Sequence, residues 1–235
     1  MHVFPVETDR LRMRPIVSSD AALYEHLYTD AETMRFIGAP LSPARAAKSF
    51  QSALAGMQRH PIEQLFLTVV EKATHTDVGI CSLLNFDAER RSVQAGVMFT
   101  APARAKGYSK EGFVGLIQQV FAHLPVDELW VQFAADHVAV QRAVLSVGFV
   151  RREDAARHSG ARGNEPGKQA RNVPRMEPRN GPGRESWIET RDEPRNESTM
   201  AAMAAAGPPA SGMSPVAWSV HRDSWTPPPA LRNAR

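Results

Sequence analysis

Apolar residues recur at strand or helix spacing over residues 1–154, and this pattern stops at about residue 155. Alternation of polar and apolar positions is typical of a half-buried strand, whereas recurrence at three and four residues is typical of a helix with one buried face. These patterns predict strands at 10–14, 65–71, 78–86, 93–99, 128–134, 149–150 and 215–222. They predict helices that begin at Ser18 or Ser19, pass through 34–37, begin at Ser42 and Pro43, cover about 108–124, and pass through 140–147.

The helix over about 108–124 has the clearest periodicity of the chain. Its apolar residues fall at i, i+3, i+4, i+7, i+8 and i+11, namely Phe113, Leu116, Ile117, Val120, Phe121 and Leu124. Short polar segments at 74–77 and 87–90 separate three successive strands, which favours an antiparallel meander. The residues therefore predict a chain of alternating strands and helices with an antiparallel meander over 65–99.

The segment 155–213 differs in composition from the rest of the chain. Arg, Gly, Pro, Asn, Glu and Ala dominate it, and large apolar residues are scarce. Such a segment cannot bury enough apolar surface to offset the entropy lost on ordering. We therefore predict a core at 1–154, a disordered low-complexity insertion at 155–213, a terminal strand of the core at 214–225 and a Pro-rich tail at 226–235.

Composition narrows the function classes. The 235 residues allow one ordinary domain plus additional chain, or two small domains. The net charge of +3 comes from basic residues mixed with acidic ones, in the insertion as elsewhere, so no nucleic-acid partner is predicted. Cys81 is the only cysteine, which excludes an intramolecular disulfide and a cysteine-based zinc site and favours a reducing compartment, the cytoplasm.

Several further site types are not expected. No apolar run is long enough for a membrane span, and the first residues lack the pattern of a signal peptide. His26, His60 and His75 show no metal-ligand spacing, so no metal is predicted. Cys81 lies in an apolar strand, where a cysteine usually packs as a small hydrophobic residue.

The residues before the strongest helix suggest a phosphate site. Arg104-Ala105-Lys106-Gly107-Tyr108-Ser109 follows a strand and opens the helix, so backbone N–H groups without intrahelical partners point outwards together. Gly107 allows a close approach of the backbone, and Arg104 and Lys106 add positive charge, so a pyrophosphate suits the turn. The pattern alone also fits a solvated basic turn that caps a core helix.

Three motifs in order resemble the GNAT superfamily of N-acetyltransferases, and most closely its ribosomal-protein N-terminal acetyltransferase branch. They are Thr8-Asp9-Arg10-Leu11-Arg12-Met13-Arg14-Pro15, the turn from Arg104 to Ser109, and Val144-Leu145-Ser146-Val147-Gly148-Phe149. The resemblance covers about residues 5–153, and 216–225 looks like the last strand of that branch. It implies an α/β (α+β) fold with a mixed, mostly antiparallel sheet flanked by helices. This sheet would be splayed between the family's fourth and fifth strands, with acetyl-CoA in the split.

The resemblance also implies roles for residues of this chain. The fourth strand of the family would be 93–99, and its Val97, Met98 and Phe99 would pair with the pantetheine arm. The turn of Arg104, Ala105, Lys106, Gly107, Tyr108 and Ser109 would hold the pyrophosphate. Tyr24, Tyr28 and Phe36 would border the pocket for an amine acceptor, either a small molecule or a protein N-terminus. The implied reaction is direct acetyl transfer in a ternary complex, by a monomer or homodimer.

The chain departs from the family pattern at the residues expected to move protons. Gln94 stands two residues before Gly96, where this branch often has Glu, and an amide cannot act as a general base. His137 and Val140 replace an Asn and a Ser that contact CoA or its departing sulfur. His137 could relay a proton or simply lie at a helix start. An acyl-CoA-binding regulatory module with little activity is therefore the alternative function.

Overall fold

The computed structural model describes residues 5–59, 62–104, 106–152 and 215–228. Its strands are β1 (Val6–Glu7), β2 (Leu11–Pro15), β3 (Leu65–Glu71), β4 (Thr76–Asp87), β5 (Ser92–Phe99), β6 (Glu128–Ala134), β7 (Val150–Arg151) and β8 (Pro215–His221). Its α-helices are α1 (Ala21–Thr29), α2 (Ala31–Met34), α3 (Pro43–Gly56), α4 (Ala101–Arg104), α5 (Tyr108–His123) and α6 (Val138–Ser146). A 3-10 turn, Ser18–Asp20, precedes α1.

These strands form one sheet in the order β1-β2-β3-β4-β5-β6-β8-β7. Every pairing is antiparallel except that of β5 with β6. That parallel pairing covers only Ser92–Gln94 against Glu128–Trp130, after which the two strands separate. The predicted mixed, mostly antiparallel and splayed sheet is confirmed, and the family's fourth strand is β5 because the short β1 adds one strand before it.

Helices cover both faces of the sheet. Tyr24 of α1 lies 6.4 Å from the ring of Phe66 on β3, whereas Gly112 of α5 packs against Met13 on β2. Met13 pairs with Val69, and Val69 and Phe66 project to opposite faces because side chains alternate along a strand. The α1 and α5 helices therefore lie on opposite faces, and the hydrophobic core fills both layers.

Two helix boundaries differ from the predictions. Neither Ser18 nor Ser19 caps α1, since both lie inside the 3-10 turn and the carboxylate of Asp20 accepts the N–H of Val17 at 2.9 Å instead. The helix predicted through 34–37 is α2, which begins at Ala31 because Asp30 accepts the N–H of Thr33 at 2.8 Å. Residues 35–37 form a turn after that helix.

Asp20 fixes the start of α1 to the sheet. It is 2% exposed, and its carboxylate accepts two hydrogen bonds from Arg14 at 2.7 and 2.8 Å and one from Thr68 at 2.7 Å. Burial by itself would raise the pKa of Asp20, but these hydrogen bonds and the N–H of Val17 outweigh it and lower that pKa.

The segment that follows residues 153–214 returns to the core. Strand β8 lies between β6 and β7, and the guanidinium of Arg222 donates to the carbonyls of Leu124 and Val126 at 2.9 and 2.6 Å. The indole of Trp225 donates to the carbonyl of Val147 at 2.8 Å. The predicted insertion at 155–213 and the tail from 229 lie outside the described residues. Within the described part, no helix is long and apolar enough to cross a membrane.

Asp20 and Asp77 offer a matched test, since both contact the guanidinium of Arg14. Asp20→Asn is expected to lower the free energy of unfolding by about 2–3 kcal/mol, because it removes the buried carboxylate of the ion pair with Arg14 and weakens the hydrogen bonds around it. Asp77→Asn, at 3.3 Å from Arg14 and 38% exposed, is expected to cost less than about 1 kcal/mol. Urea unfolding measures both, and equal effects would contradict the anchoring role of Asp20.

Candidate functional site

A cavity of about 590 Å³ occupies the gap where β5 and β6 separate. One wall is the edge of β5 from Ala95 to Phe99, and the facing wall is the edge of β6 from Val131 to Ala134. The backbone of β5 pairs with β4 on its other side, so along Ala95–Phe99 only the edge towards the cavity lacks a strand partner. Val97, Met98 and Phe99, which the resemblance assigns to the pantetheine arm, all line the cavity.

The first turn of α5 forms one end of the cavity. Gly107 is its N-cap residue, with φ of 72°, a left-handed conformation that favours glycine. A side chain at Gly107 would meet no atom within 4 Å, so the backbone there faces open space. Gly107 and Ser109 line the cavity. A helix of 16 residues thus presents its unpaired N–H groups to the cavity, an arrangement that binds anions.

The cations of the turn are not equally available. The ammonium of Lys106 lies 2.9 Å from Glu71, and Lys106 does not line the cavity. Arg104 lines the cavity, but its guanidinium also contacts Asp30 at 3.3 Å and the hydroxyl of Thr33. Ala105 lies outside the described residues. The predicted phosphate turn is therefore brought to the cavity by its backbone and Arg104, and not by Lys106.

Lys110 is a cation of the site that the sequence reasoning missed. It lies in the first turn of α5, is half-buried and lines the cavity. Among the described residues no carboxylate forms an ion pair with it, in contrast to Arg104 and Lys106. Lys110 directly follows Ser109, the last residue of the turn, and this position in the sequence could have indicated its role.

Tyr108 lies behind the turn. It is 3% exposed, it does not line the cavity, and its hydroxyl donates to Glu71. Hydrogen bonds from Tyr108, Lys106 and Thr74 lower the pKa of Glu71 to about 2. The contacts of Tyr108 and Lys106 with Glu71 therefore fix the turn to β3.

Glu111 joins the opening motif to the turn. Its buried carboxylate accepts the hydroxyl of Thr8 at 2.6 Å, the N–H of Arg10 at 2.7 Å and the side chain of Arg10 at 2.6 Å. The same guanidinium donates to the carbonyl of Lys106 at 2.9 Å and lies 4.8 Å from the ring centre of Tyr108. Thr8 and Arg10 thus fix the direction in which α5 begins.

The predicted acceptor residues divide into two groups. Tyr28 and Phe36 line the cavity. Tyr24 does not, because it is 1% exposed, stacks under Tyr28 at 4.2 Å and shares a hydrogen bond of 2.8 Å with Ser49. The prediction that Tyr24 borders the acceptor pocket is thus not met, since α3 packs over that side of α1 and encloses its ring.

Gln94 lies at the point where the strands separate. It lines the cavity, and its side-chain oxygen accepts a hydrogen bond from the amide of Asn85 at 2.5 Å. Asn85 has a positive φ of 52° and sits in an irregularity of the β4–β5 pairing between Leu84 and Asp87. The irregular strand therefore brings a second amide to Gln94, which holds its orientation.

His137 lines the cavity at the start of α6, where it is itself the N-cap residue. Its ring stacks on Phe36 at 4.1 Å and meets Phe133 edge-on at 6.4 Å. Burial lowers the pKa of His137, and the nearby Asp136 only partly opposes this. The imidazole is therefore neutral near pH 7 and able to accept a proton. Val140 also lines the cavity.

Other candidates are not part of this site. Cys81 is buried, and burial raises the pKa of its thiol to about 12, so it packs as a core residue. Within the described ranges, no three side chains of His, Cys, Asp and Glu are placed to hold a metal ion.

Comparison with known proteins gives a family and a fold. A family model for the acetyltransferase (GNAT) domain matches residues 10–150. No curated protein matches the chain. Spermidine N-acetyltransferase from Vibrio cholerae in complex with CoA and spermine is similar at 15% identity, over 61% of this chain and 83% of that one, with a TM-score of 0.55.

Two solved ribosomal-protein acetyltransferases are also similar. Ribosomal L7/L12 α-N-protein acetyltransferase in complex with CoA has 12% identity over 63% of this chain and 85% of that one, with a TM-score of 0.56. Ribosomal-protein-S5-alanine acetyltransferase from Vibrio fischeri has 17% identity over 63% and 84%, with a TM-score of 0.53. At these identities the likeness establishes a shared fold.

The pH dependence of stability in the Glu71→Gln variant tests whether the Glu71 carboxylate stabilises the turn. A folded pKa of about 2, below the ordinary 4.5, means that the charged carboxylate stabilises the fold above pH 4.5 and that this contribution is lost as pH falls towards 2. The unfolding free energy of wild type minus that of the variant is therefore expected to shrink between about pH 5 and about pH 2.5, measured by urea unfolding. Glu63→Gln, which removes an exposed carboxylate 3.8 Å from Arg59, is the control with a small effect throughout. A difference for Glu71 that stays constant over this range would contradict its role.

Proposed function

This chain belongs to the GNAT family of acetyltransferases, and we propose that it transfers the acetyl group of acetyl-CoA to a primary amine bound in the same cavity. The observation that carries this proposal is the position of the cavity between a helix N-terminus and the pair Gln94 and His137. An anion site at one end, and an amide and a neutral imidazole at the other, suit a phosphorylated thioester donor and an amine acceptor.

The donor would lie along β5. The N–H groups of the first turn of α5, with Lys110 and Arg104, would hold its pyrophosphate. The open backbone edge at Val97, Met98 and Phe99 would hydrogen-bond the pantetheine arm as a further strand does. This arrangement would deliver the thioester to the point of strand separation beside Gln94.

The reaction we propose is a direct attack in one ternary complex. The amine nitrogen forms a bond to the thioester carbonyl carbon, the C–S bond breaks, and the electron pair leaves with the sulfur. His137, neutral near pH 7, would take the proton that the amine loses, and the CoA sulfur leaves as a thiolate or gains a proton from solvent. A thiol with a pKa of about 8.5 is a tolerable leaving group. The step therefore does not require the Ser that the related enzymes often have at the position of Val140.

Positioning supplies most of the rate in this scheme. Holding an amine against the thioester contributes roughly 7–11 kcal/mol, while a general base contributes about 10²- to 10⁴-fold in rate. Gln94 cannot take a proton, so its amide, held by Asn85, would orient the reacting groups. Tyr28 and Phe36 would border the acceptor, which could be a small amine or a protein N-terminus.

The alternative is a regulatory module that binds acyl-CoA without efficient transfer, and Gln94 in place of a carboxylate favours it. The two functions separate in one experiment. Acetyl-CoA and a panel of amines are incubated with the protein, and CoA thiol and acetylated amine are quantified. Transfer predicts equal amounts of both, whereas binding of acetyl-CoA without turnover of any amine would support the module.

Lys110 and Lys106 provide a matched test of the donor site. Lys110→Gln is expected to weaken acetyl-CoA binding about 10-fold or more, because a charge-assisted contact to phosphate contributes about 1.5–3 kcal/mol. Lys106→Gln is expected to change the affinity less than about 3-fold, since Glu71 already pairs with that ammonium. Isothermal titration calorimetry measures both. Gly107→Asp should abolish most binding, and an unchanged affinity there would rule out the proposed site.

His137→Phe tests the proton transfer while keeping an aromatic ring against Phe36. At saturating acceptor, kcat is expected to fall about 10²-fold or more, with acetyl-CoA affinity unchanged. In wild type, kcat should fall on acidification with a midpoint below 6.5, because the lowered pKa of His137 sets where its base form is lost. The variant should lack this acidic limb. An unchanged kcat and pH profile would exclude His137 as the base.

A further inference from the structure

We propose that the acceptor is a primary amine whose enclosed body is apolar and uncharged, so that the cavity selects monoamines over diamines and polyamines. This inference rests on the proposed acetyl transfer and names the acceptor class for it. It is carried by the charges and the apolar surface of the cavity walls.

The charged groups of the cavity wall are cations. Among the described residues that line it, Arg104 and Lys110 are charged, and none is Asp or Glu. The guanidinium of Arg35 lies 5.0 Å from the ring centre of Phe36, a further positive charge beside the wall. This charge distribution suits a phosphate-bearing donor, and the described wall offers no negative charge to attract an acceptor with several ammonium groups.

Two acidic side chains that adjoin lining residues do not change this balance. Asp30 contacts Arg104 at 3.3 Å and accepts the N–H of Thr33 at 2.8 Å, so its carboxylate is already engaged. Asp136 precedes His137 but is exposed and is not part of the wall. A second ammonium inside the cavity would therefore find no carboxylate to pair with among the described residues of the wall, which is costly for an enclosed charge.

The remaining wall on the acceptor side is apolar and aromatic. Phe36, His137 and Phe133 form a continuous set of rings, with His137 between the other two at 4.1 and 6.4 Å. Ile37 and Ala143 are further apolar residues of the cavity wall. An aliphatic or aromatic body gains by packing there, whereas the single reacting ammonium loses its charge during the transfer.

The direct test compares hexylamine with hexamethylenediamine, which differ only in a second ammonium. The wild-type protein is expected to acetylate hexylamine with kcat/KM about 100-fold above that for the diamine, since an unpaired second charge is disfavoured inside the cavity. Equal or faster turnover of the diamine would overturn the inference. Binding of both amines to the complex with acetyl-CoA is measured by calorimetry alongside, and the monoamine should bind at least about 10-fold more tightly.

Gln132 allows a gain of function, because it lines the cavity and no role in the transfer is assigned to it. Gln132→Glu is expected to raise kcat/KM for the diamine about 10-fold through KM and to change that for hexylamine less than about 3-fold. Gln132→Ala is the control and should leave the ratio near its wild-type value. A ratio unchanged by the carboxylate would count against charge as the selecting factor.

The same assay tests whether the amine belongs to a protein N-terminus when it is run with peptides that begin Ala-Phe and Ala-Lys. The Ala-Phe peptide should be acetylated faster, because its second side chain is apolar and uncharged. Absence of turnover with every amine would overturn the proposed function, while the Kd ratio of the two hexyl amines would still decide the acceptor class.

Discussion

The separation of β5 from β6 is the constraint on which the site depends. The two strands pair over three residues each and then part, so each presents a backbone edge to one cavity. An enclosed backbone edge needs hydrogen-bond partners, and a ligand or water that fills the gap can supply them. The separation is supported from both sides, by Glu111 holding the start of α5 and by β8 covering the far edge of β6.

Much of this architecture could be predicted because it follows from local patterns. The buried face of α5 is explicit in its apolar spacing, and the short polar segments between 65 and 99 indicate the meander. The 3-10 turn before α1 could not be predicted in the same way. Ser18 and Ser19 are good caps in isolation, but Asp20 gains the guanidinium of Arg14 and the hydroxyl of Thr68 from the sheet, which outweighs a local serine cap.

In the candidate site, too, local features could be predicted from the sequence, whereas features set by long-range contacts could not. The turn before α5 is visible in the sequence, yet the ammonium of Lys106 points to Glu71, a residue 35 positions earlier, and Lys110 remains at the cavity. Tyr24 and Tyr28 are adjacent on one helix face, and only the packing of α3 decides which of them reaches the cavity. Side-chain direction at these positions depends on tertiary partners that spacing does not reveal.

The position of β8 has a consequence for how the chain assembles. It lies between β6 and β7, although both precede it in the sequence, and β7 pairs with no other described strand. On a ribosome, β6 and β7 are therefore synthesised well before the strand that joins them. Until it arrives, the outer edge of β6 is open to pairing with other chains, and the sheet is completed only by a contact between distant parts of the sequence. Such late, long-range pairing is intrinsically slow, so the last step of folding is the one most exposed to aggregation.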